Sequence, residues 1–566
     1  MPEKAEWRVF MKLKKVMALT MAVVMGFSMA GCGGSGKGSQ PAAGSEAKAA
    51  ESSQTETTSA PATIDAKSAA GDEDALAQEM VMPTASSRDT VNIQVSSDPG
   101  SLCPFSTGGG QSANIIYKQI CEPLFDYGFN YEVVPILAES WEQTDDTHYT
   151  FHLRQGVKYT DGKDFTAKDV LFSIKMYADD PAKKQYVKTI DIENTKIIDD
   201  HTIEIALTKP DAYFMSCFKS CVIMNEESYN NSPDKFSEKP IGTGPYKLES
   251  YIGGNSAKLV ANEDYWEGTP AIKNVNIKVI NDVSQRCIEL ETGGVDLVVE
   301  LGQTDYGRIE SDDRFNAIIK PGYKSNSFYF NCSEHSIFND VRVRQAVAYA
   351  IDNAAIFAAV YQNKFGSIST AFPSNGMIDY DPKWEEGGYY ALDVEKAKAL
   401  LQDAGIAEGT KITIITNEDK TLLSNCEIVQ AMLSQIGLTA EISSYEKAVY
   451  NSAIDDEAGG WDMATNSFTA PSGYVADMGY AYFAKDGINR SCYFNQELED
   501  AVVASTQITD DAKRKELTDK IVQILQDDVP AYAYTRLAVN WAWVKELKGF
   551  NVWGQNDLFV KYLYFE

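Results

Sequence analysis

Pairs of histidines and cysteines are the first features of this sequence that suggest chemistry. His148 and His152 fall four residues apart in an alternating, strand-like segment. They would share one face of a strand but lie about 13 Å apart along it, too far to bind one metal ion. Cys217 and Cys221 would be neighbours on a helix, yet a structural zinc site usually takes four ligands. The pairs therefore predict no metal site.

Catalytic motifs are equally scarce. The sequence contains neither H-E-x-x-H nor G-x-S-x-G, so no catalytic residue and no cofactor is predicted. Its 81 Asp and Glu residues make some carboxylate pairing inevitable, which leaves an exported hydrolase as an alternative. The net charge of −30 argues against a nucleic-acid partner, because phosphates are bound by Lys and Arg.

The N-terminus has the pattern of an export signal. Basic residues at 12–15 precede an uncharged run at 16–29, and Cys32 follows Ala30-Gly31. This pattern is typical of a secretory signal peptide, and the run is too short for a bilayer-spanning helix, which takes about 20 residues. The cysteine resembles that of the bacterial lipobox, which carries a diacylglyceryl group. We predict a signal peptide over 1–31 and lipidation of Cys32, with a plain secretory signal as the alternative.

A segment of low complexity follows this cysteine. Residues 33–88 are rich in Gly, Ser, Ala, Thr, Gln and Glu and contain no aromatic residue. Such a composition cannot bury enough apolar surface to offset the entropy of ordering the chain. Residues 32–88 are therefore predicted to be a disordered tether with an r.m.s. span on the order of 40–45 Å.

Eight further cysteines are spread over the rest of the chain. An even number in an exported protein permits disulfides, but sequence spacing does not give the connectivity, and buried free thiols fit equally well. These cysteines are Cys103, Cys121, Cys217, Cys221, Cys287, Cys332, Cys426 and Cys492.

Hydrophobic periodicity and capping residues predict an α/β chain without a membrane-spanning helix. A strand is predicted at Thr90–Val95 and a capped helix at 166–178. Residues 411–444 read as a β-α-β unit, which implies parallel strands. One continuous helix of about 20 residues is predicted over 339–361. A last helix at 512–526 is followed by two predicted aromatic-rich strands.

A series of short blocks runs from residue 89 to residue 566. The blocks are Asp98-Pro99-Gly100-Ser101-Leu102-Cys103-Pro104, Glu122-Pro123-Leu124, Leu137-Ala138-Glu139-Ser140-Trp141, Tyr149 to Asp161-Gly162, Thr166-Ala167-Lys168-Asp169-Val170, Gly242-Thr243-Gly244-Pro245-Tyr246, Asn262 to Trp266, and Val341 to Ala346 with Ala350-Ile351-Asp352. Their order and spacing together resemble the extracytoplasmic solute-binding proteins that serve peptide and nickel ABC importers.

The resemblance implies a two-lobed α/β fold of the periplasmic-binding-protein type. The lobes are joined by a hinge, the ligand lies in the cleft between them, and an extra domain is inserted into the first lobe. Hinge closure would convert ligand binding into a shape that a transporter recognises. The implied division is lobe I at 89–118, 241–325 and 530–566, the inserted domain at 119–240, and lobe II at 326–529.

The resemblance also implies partners. They are a small peptide-like solute and an ABC permease with its ATPase. The membrane contact is through the lipid anchor only, the protein is a monomer, and its place is the outer face of the cell membrane. A sugar or a nickel complex is the alternative ligand. The alternative functions are an exported hydrolase and a surface sensor or adhesin on the same scaffold.

One stretch departs from the family pattern. In peptide-binding members an aspartate of the second lobe pairs with the α-amino group of the ligand, but the corresponding residues 461–473 hold no carboxylate at that place. The nearest ones are Asp462 and Asp477. Since a buried ammonium without a partner is costly, the stretch is interpreted as a neutral wall suited to a modified peptide, an amide or a sugar. The polar residues of this wall are Asn466, Ser467, Thr469 and Ser472.

The predicted ligand-binding residues come from both lobes. The glycine-rich segment 106–111 lets a ligand approach the backbone closely, with a mobile loop as the alternative. Aromatic residues are predicted as cleft walls, with burial in the core as the alternative. The full predicted set is Thr107, Gly109, Gln111, Tyr246, Tyr329, Asn466, Ser467, Phe468, Thr469, Tyr474 and Trp541.

Overall fold

The computed structural model describes residues 81–105, 111–127, 133–181, 183–232, 234–386, 389–469, 472–508, 510–551 and 557–566. The strands in these ranges are β1 Thr90–Val95, β2 Phe125–Tyr127, β3 Val133–Pro135, β4 Ala138–Asp145, β5 His148–Leu153, β6 Ile190–Asp199, β7 Thr202–Leu207, β8 Tyr246–Ile252, β9 Ser256–Ala261, β10 Asn274–Val279, β11 Leu297–Val299, β12 Phe315–Phe330, β13 Gly366–Ile368, β14 Thr410–Asn417, β15 Leu438–Tyr445, β16 Met463–Phe468, β17 Ala531–Val544, β18 Leu547–Lys548 and β19 Tyr564–Phe565.

The helices alternate with these strands. They are α1 Gln111–Tyr117, α2 Ala167–Asp179, α3 Phe214–Phe218, α4 Glu226–Asn231, α5 Val283–Glu291, α6 Gln303–Glu310, α7 Val341–Ala350, α8 Asn353–Tyr361, α9 Val394–Asp403, α10 Lys420–Gln435, α11 Lys447–Ile454, α12 Val475–Phe483, α13 Gln496–Ser505 and α14 Asp511–Asp528. Short 3-10 turns lie at Lys184–Tyr186, Ile337–Asn339, Pro382–Glu385 and Val560–Tyr562.

Local sequence signals explain several of these elements. The predicted strand at Thr90–Val95 is confirmed. At the start of α2, the carboxylate of Asp169 accepts from the backbone N of Thr166 at 2.9 Å, as the capping pattern predicts. The β-α-β unit is confirmed as well, because β14 and β15 pair in parallel from Thr410↔Leu438 to Asn417↔Tyr445.

The single helix predicted over 339–361 is wrong, because the structure has α7 and α8 there. Ile351 is extended between them, and the Asp352 carboxylate accepts from the backbone N of Ala355 at 3.0 Å. This cap starts a new helix inside an apolar run. The predicted pair of aromatic-rich closing strands is also corrected to one long strand, β17, followed by the two-residue strands β18 and β19.

One large sheet runs through both lobes. Its order is β15-β14-β16-β12-β17-β11-β1-β10-β9-β8, and β13 pairs with β17 off this path. The long strands β12 and β17 lie in the middle and connect the two sides. Their register is regular from Phe315↔Val544 to Pro321↔Ala538 and resumes at Ser325↔Arg536 after an irregularity. We call this place, residues 321–325 and 536–538, the strand crossing.

Two hydrophobic cores pack on this sheet, and one of them includes residues from both sides of the strand crossing, among them Val298 of β11. It also contains Ile414 and Met463 of the β14–β16 side. The other contains Ile93 of the β1 side together with Phe151 of the separate four-stranded sheet β4-β5-β7-β6. The domain boundaries inferred from the sequence stay predictions.

Residues 86 and 87 meet the C-terminal strand β19 on the β1 side. Ser87 donates its backbone N–H to the carbonyl O of Phe565 at 3.0 Å, and the backbone N of Phe565 donates to Ser86 Oγ at 2.8 Å. The last residues of the predicted tether are thus part of the folded body. The signal peptide and Cys32 lie outside the described residues. Among those that are described, no helix combines the length and the apolar character needed to cross a membrane.

The eight cysteines that follow Cys32 are free thiols in this structure. Seven of them are buried and Cys492 is half-buried. The sequence left disulfides and buried free thiols as alternatives, and the structure agrees with buried free thiols.

Gly242 of the Gly-Thr-Gly-Pro-Tyr block is expected to tolerate no side chain. A Cβ there would overlap the carbonyl oxygen of Ile120, and the backbone N of Gly244 donates to that same oxygen at 2.8 Å. Gly242→Ala should therefore lower the free energy of unfolding by about 2 kcal/mol, measured by urea denaturation.

Gly307→Ala is the matched control. A Cβ at Gly307, inside α6, meets no atom within 4 Å. Removing a glycine from a helix should leave stability unchanged or raise it by up to about 1 kcal/mol. Equal stability of the two variants would contradict the close packing of Gly242 on Ile120 and Cys121.

Candidate ligand site

The carboxyl ends of parallel strands from both lobes point at the strand crossing. On one side β11, parallel to β1, ends at Val299, which pairs with Trp541 close to the crossing. On the other side β16, parallel to β14, ends at Phe468, which pairs with Ser325. In open α/β sheets, ligands bind in the crevice outside such carboxyl ends. This topology places the candidate site at the crossing.

Buried polar atoms without a hydrogen-bond partner among the described residues collect at this place. Each such atom costs roughly 1–3 kcal/mol unless a partner satisfies it. A solute bound at the crossing can supply that partner. The atoms are Ser325 Oγ, Asn466 Nδ2, Arg536 Nε, Asn540 Oδ1 and Trp541 Nε1.

Arg536 places a charge at the crossing. Its guanidinium donates from Nη1 to Glu385 Oε1 at 3.1 Å and from Nη2 to the hydroxyl of Tyr380 at 2.7 Å. That hydroxyl in turn donates to Glu385. Burial raises the pKa of Glu385, but the Tyr380 hydroxyl and the Arg536 charge outweigh it and hold the pKa below its ordinary value. The cluster is therefore a neutral, hydrogen-bonded ion pair.

A cavity of about 310 Å³ is connected to this cluster through the segment Asp379-Tyr380. Arg514 is on its wall, and its Nε is 3.2 Å from Asp379 Oδ2. Asp379 is followed directly by Tyr380, so a single backbone segment connects the cavity wall to the Arg536 cluster. The lining residues are Trp141, Gln143, Tyr149, Asp211, Ala212, Met215, Tyr474 and Arg514. We call this space the aromatic cavity.

Comparison with known proteins identifies the family of this chain. The model of the bacterial extracellular solute-binding proteins, family 5, matches residues 132–490. The chain belongs to this family. It is 30% identical over 457 residues to the dipeptide-binding protein of Escherichia coli K12, covering 74% of this chain and 84% of that protein. It is also 30% identical over 375 residues to heme-binding protein A of Haemophilus influenzae, covering 61% of this chain and 67% of that one.

Solved structures show the same fold. The ABC transporter substrate-binding protein CtaP from Listeria monocytogenes aligns with a TM-score of 0.76 at 22% identity, over 84% of this chain and 99% of that one. DppA from Helicobacter pylori, solved with the peptide STSA, aligns with a TM-score of 0.71 at 24% identity, over 84% and 98%. The predicted two-lobed α/β fold is confirmed for this family 5 protein.

The predicted aromatic residues lie mostly in the cores of this solute-binding protein. Tyr246 is fully buried and donates its hydroxyl to the carbonyl O of Ile272 at 3.2 Å. Tyr329 and Phe468 are fully buried with ring centroids 5.3 Å apart. Trp541 is fully buried against Phe550. These side chains hold the walls of the site in place.

The predicted polar wall is divided between the two faces of β16. Ser467 donates to Asn326 Oδ1 at 2.6 Å, on the face opposite its neighbour Asn466. Thr469 follows the strand and is half-buried. Asn466 brings an unpaired amide to the crossing, and Tyr474 lines the aromatic cavity.

Most of the glycine-rich segment lies outside the residues that the structure describes. Thr107 and Gly109 lie in the undescribed range 106–110, and Gln111 is the first residue of α1. The structure adds Asp211, Glu385, Arg514 and Arg536 to the site, which the sequence did not single out. No local pattern marks them, because the contacts of these four residues join distant parts of the chain.

Proposed function

We propose that this protein captures a peptide or peptide-like solute outside the cell and delivers it to an ABC permease. The observation that carries the proposal is the 30% identity to a dipeptide-binding protein across 84% of that protein's length. The two lobes connected by β12 and β17 support it, because a cleft with two crossing strands can close around a solute. The mature chain is a lipoprotein anchored through Cys32, and it carries out no reaction of its own.

The domain division supports capture by closure. The proposed change from lobe I to lobe II at residues 325–326 coincides with the register irregularity of β12. The proposed return at residue 530 lies just before β17, whose first residues still pair with β12 ahead of the strand crossing at 536–538. Bending at these strands would open and close the cleft around the ligand.

A thermal-shift screen of the purified full chain tests the proposal. The panel contains free-amine and N-acetylated di- to octapeptides, oligosaccharides and nickel chelates. A ligand that binds only the folded state at a hundredfold excess over its Kd stabilises it by about 2.7 kcal/mol, so peptides are expected to raise the Tm. A shift with oligosaccharides or nickel chelates and none with peptides would replace the proposed ligand class.

A further inference from the structure

The aromatic cavity has the size of a binding site for a small polar group. Its volume of about 310 Å³ is at the lower end of the range for ligand pockets in proteins, roughly 300–1,000 Å³. Its walls come from the four-stranded sheet and the segment that follows it on one side. On the other side they come from the N-cap of α12, at Tyr474, and from α14. The cavity is therefore built from chain segments more than 250 residues apart.

Asp211 is the buried carboxylate of this cavity. It is 7% exposed, accepts from Thr189 Oγ1 at 2.6 Å and accepts from the backbone N of Tyr213 at 2.9 Å. Both donors are neutral, and a carboxylate has about four acceptor positions. None of the ion pairs among the residues described includes Asp211. The Asp211 carboxylate can therefore accept further hydrogen bonds, and a cation could pair with its charge.

Aromatic rings line the same cavity as this carboxylate. Trp141, Tyr149 and Tyr474 line the cavity, and the ring of Tyr213 lies 5.0 Å from that of Tyr474. The face of an aromatic ring attracts a cation within about 6 Å of its centroid. A carboxylate within aromatic walls is chemically suited to an ammonium group.

The other charges around the cavity do not offset Asp211. Arg514 is paired with Asp379 at 3.2 Å, and its guanidinium carbon lies 5.0 Å from the Tyr474 ring centroid. Asp477, Lys188 and Lys219 also face this region. Lys219 lies 3.9 Å from Asp126, and the charges of Asp477 and Lys188 are opposite. With Arg514 matched by Asp379, the charge of Asp211 is left over, and this favours a cation over an anion.

We propose that the aromatic cavity binds the primary ammonium group of the solute, with Asp211 as its acceptor. This assignment rests on the proposed function for the identity of the solute. The two walls of the cavity touch where the backbone N of Ala212 donates to the carbonyl O of Thr506 at 2.8 Å and Tyr213 donates to Ser505 Oγ at 3.4 Å. Because the site needs both walls, the ammonium group stabilises the closed form.

Isothermal titration of the full chain with trialanine and N-acetyl-trialanine tests the assignment. Asp211→Asn keeps the shape of the side chain and removes its charge. It is expected to weaken trialanine binding by at least about tenfold and to leave the affinity for N-acetyl-trialanine unchanged, because only the free amine loses a charge-assisted hydrogen bond. Asp200→Asn, at an exposed turn, is the matched control and should bind both peptides as the parent does.

A second variant keeps the test informative if Asp211→Asn folds poorly. Tyr474→Leu removes an aromatic face from the opposite wall and should also weaken trialanine binding selectively. Unchanged trialanine affinity in both variants would overturn the ammonium site and leave the proposed function standing. A parent protein that binds N-acetyl-trialanine more tightly than trialanine would also overturn the site. A parent that binds neither peptide would contradict the proposed function itself.

Discussion

Replacing Glu385 by glutamine is expected to lower the free energy of unfolding by about 3 kcal/mol, because it leaves a buried guanidinium without a counter-charge. The Arg536 side chain is 5% exposed, whereas that of Glu385 is 36% exposed. The hydroxyl of Tyr380 would remain as the partner of Nη2, and Nε has no partner among the described residues. This expected loss of about 3 kcal/mol is at the lower end of the range for removing one partner of a buried ion pair, because water partly solvates Glu385. Urea denaturation measures it.

Arg536→Met is the matched change on the other partner. It leaves a carboxylate that water already reaches, so it should cost about 1 kcal/mol, less than Glu385→Gln. The double variant should be more stable than Glu385→Gln alone, and the cycle of four proteins isolates the pairwise energy. Equal costs for the two single variants, or costs that simply add, would contradict the ion pair.

The pH dependence of the same pair follows from the lowered pKa of Glu385. A carboxyl group whose pKa is lower in the folded protein than in the unfolded chain stabilises the fold above its ordinary pKa, here 4.5. This contribution is lost as the pH falls through the lowered, folded-state value. The stability difference between the parent and Glu385→Gln should therefore be full at neutral pH and shrink below pH 4.5.

The regular elements could be predicted where signals are local. The capping carboxylate of Asp169 and the β-α-β unit at 411–444 are short-range features, and both are confirmed. The break between α7 and α8 was missed because Asp352 lies inside a run of apolar and helix-forming residues. Its capping role depends on Ile351 being extended, which the periodicity does not reveal. The hydrophobic period therefore locates the residues that are helical, but it does not show how many separate helices they form.

The site was harder to predict than the fold. The sequence does not show whether an aromatic residue lies in a core or lines a cleft. Tyr246, Tyr329 and Trp541 were predicted as cleft walls and are fully buried. Asp211 and Arg514 come together only through tertiary packing, 303 residues apart in the chain. Tyr474 is the predicted residue that lines the aromatic cavity.

A disulfide between positions 212 and 506 is expected to lock the two lobes together. The backbone N of Ala212 donates to the carbonyl O of Thr506 at 2.8 Å, across the contact between the proposed inserted domain and the proposed lobe II. One backbone N–H···O bond of this length brings the two Cα atoms to roughly 5–6.5 Å, within the range of about 4.4–6.8 Å that disulfides span. Oxidised Ala212→Cys/Thr506→Cys should bind and release the tightest peptide of the panel at least about 100-fold more slowly, because ligand exchange requires opening.

Stopped-flow tryptophan fluorescence of the oxidised and reduced double variant measures this effect. Reduction should restore fast exchange, and because Ala212 lines the aromatic cavity next to Asp211, the reduced double variant is the reference for the rate. The single variant Ala212→Cys controls for pairing with native thiols, seven of which are buried. If the oxidised protein exchanges peptide at the reduced rate, the contact at Ala212 and Thr506 persists while ligand passes. The opening would then lie elsewhere along the cleft, and β12 and β17 would not act as the hinge.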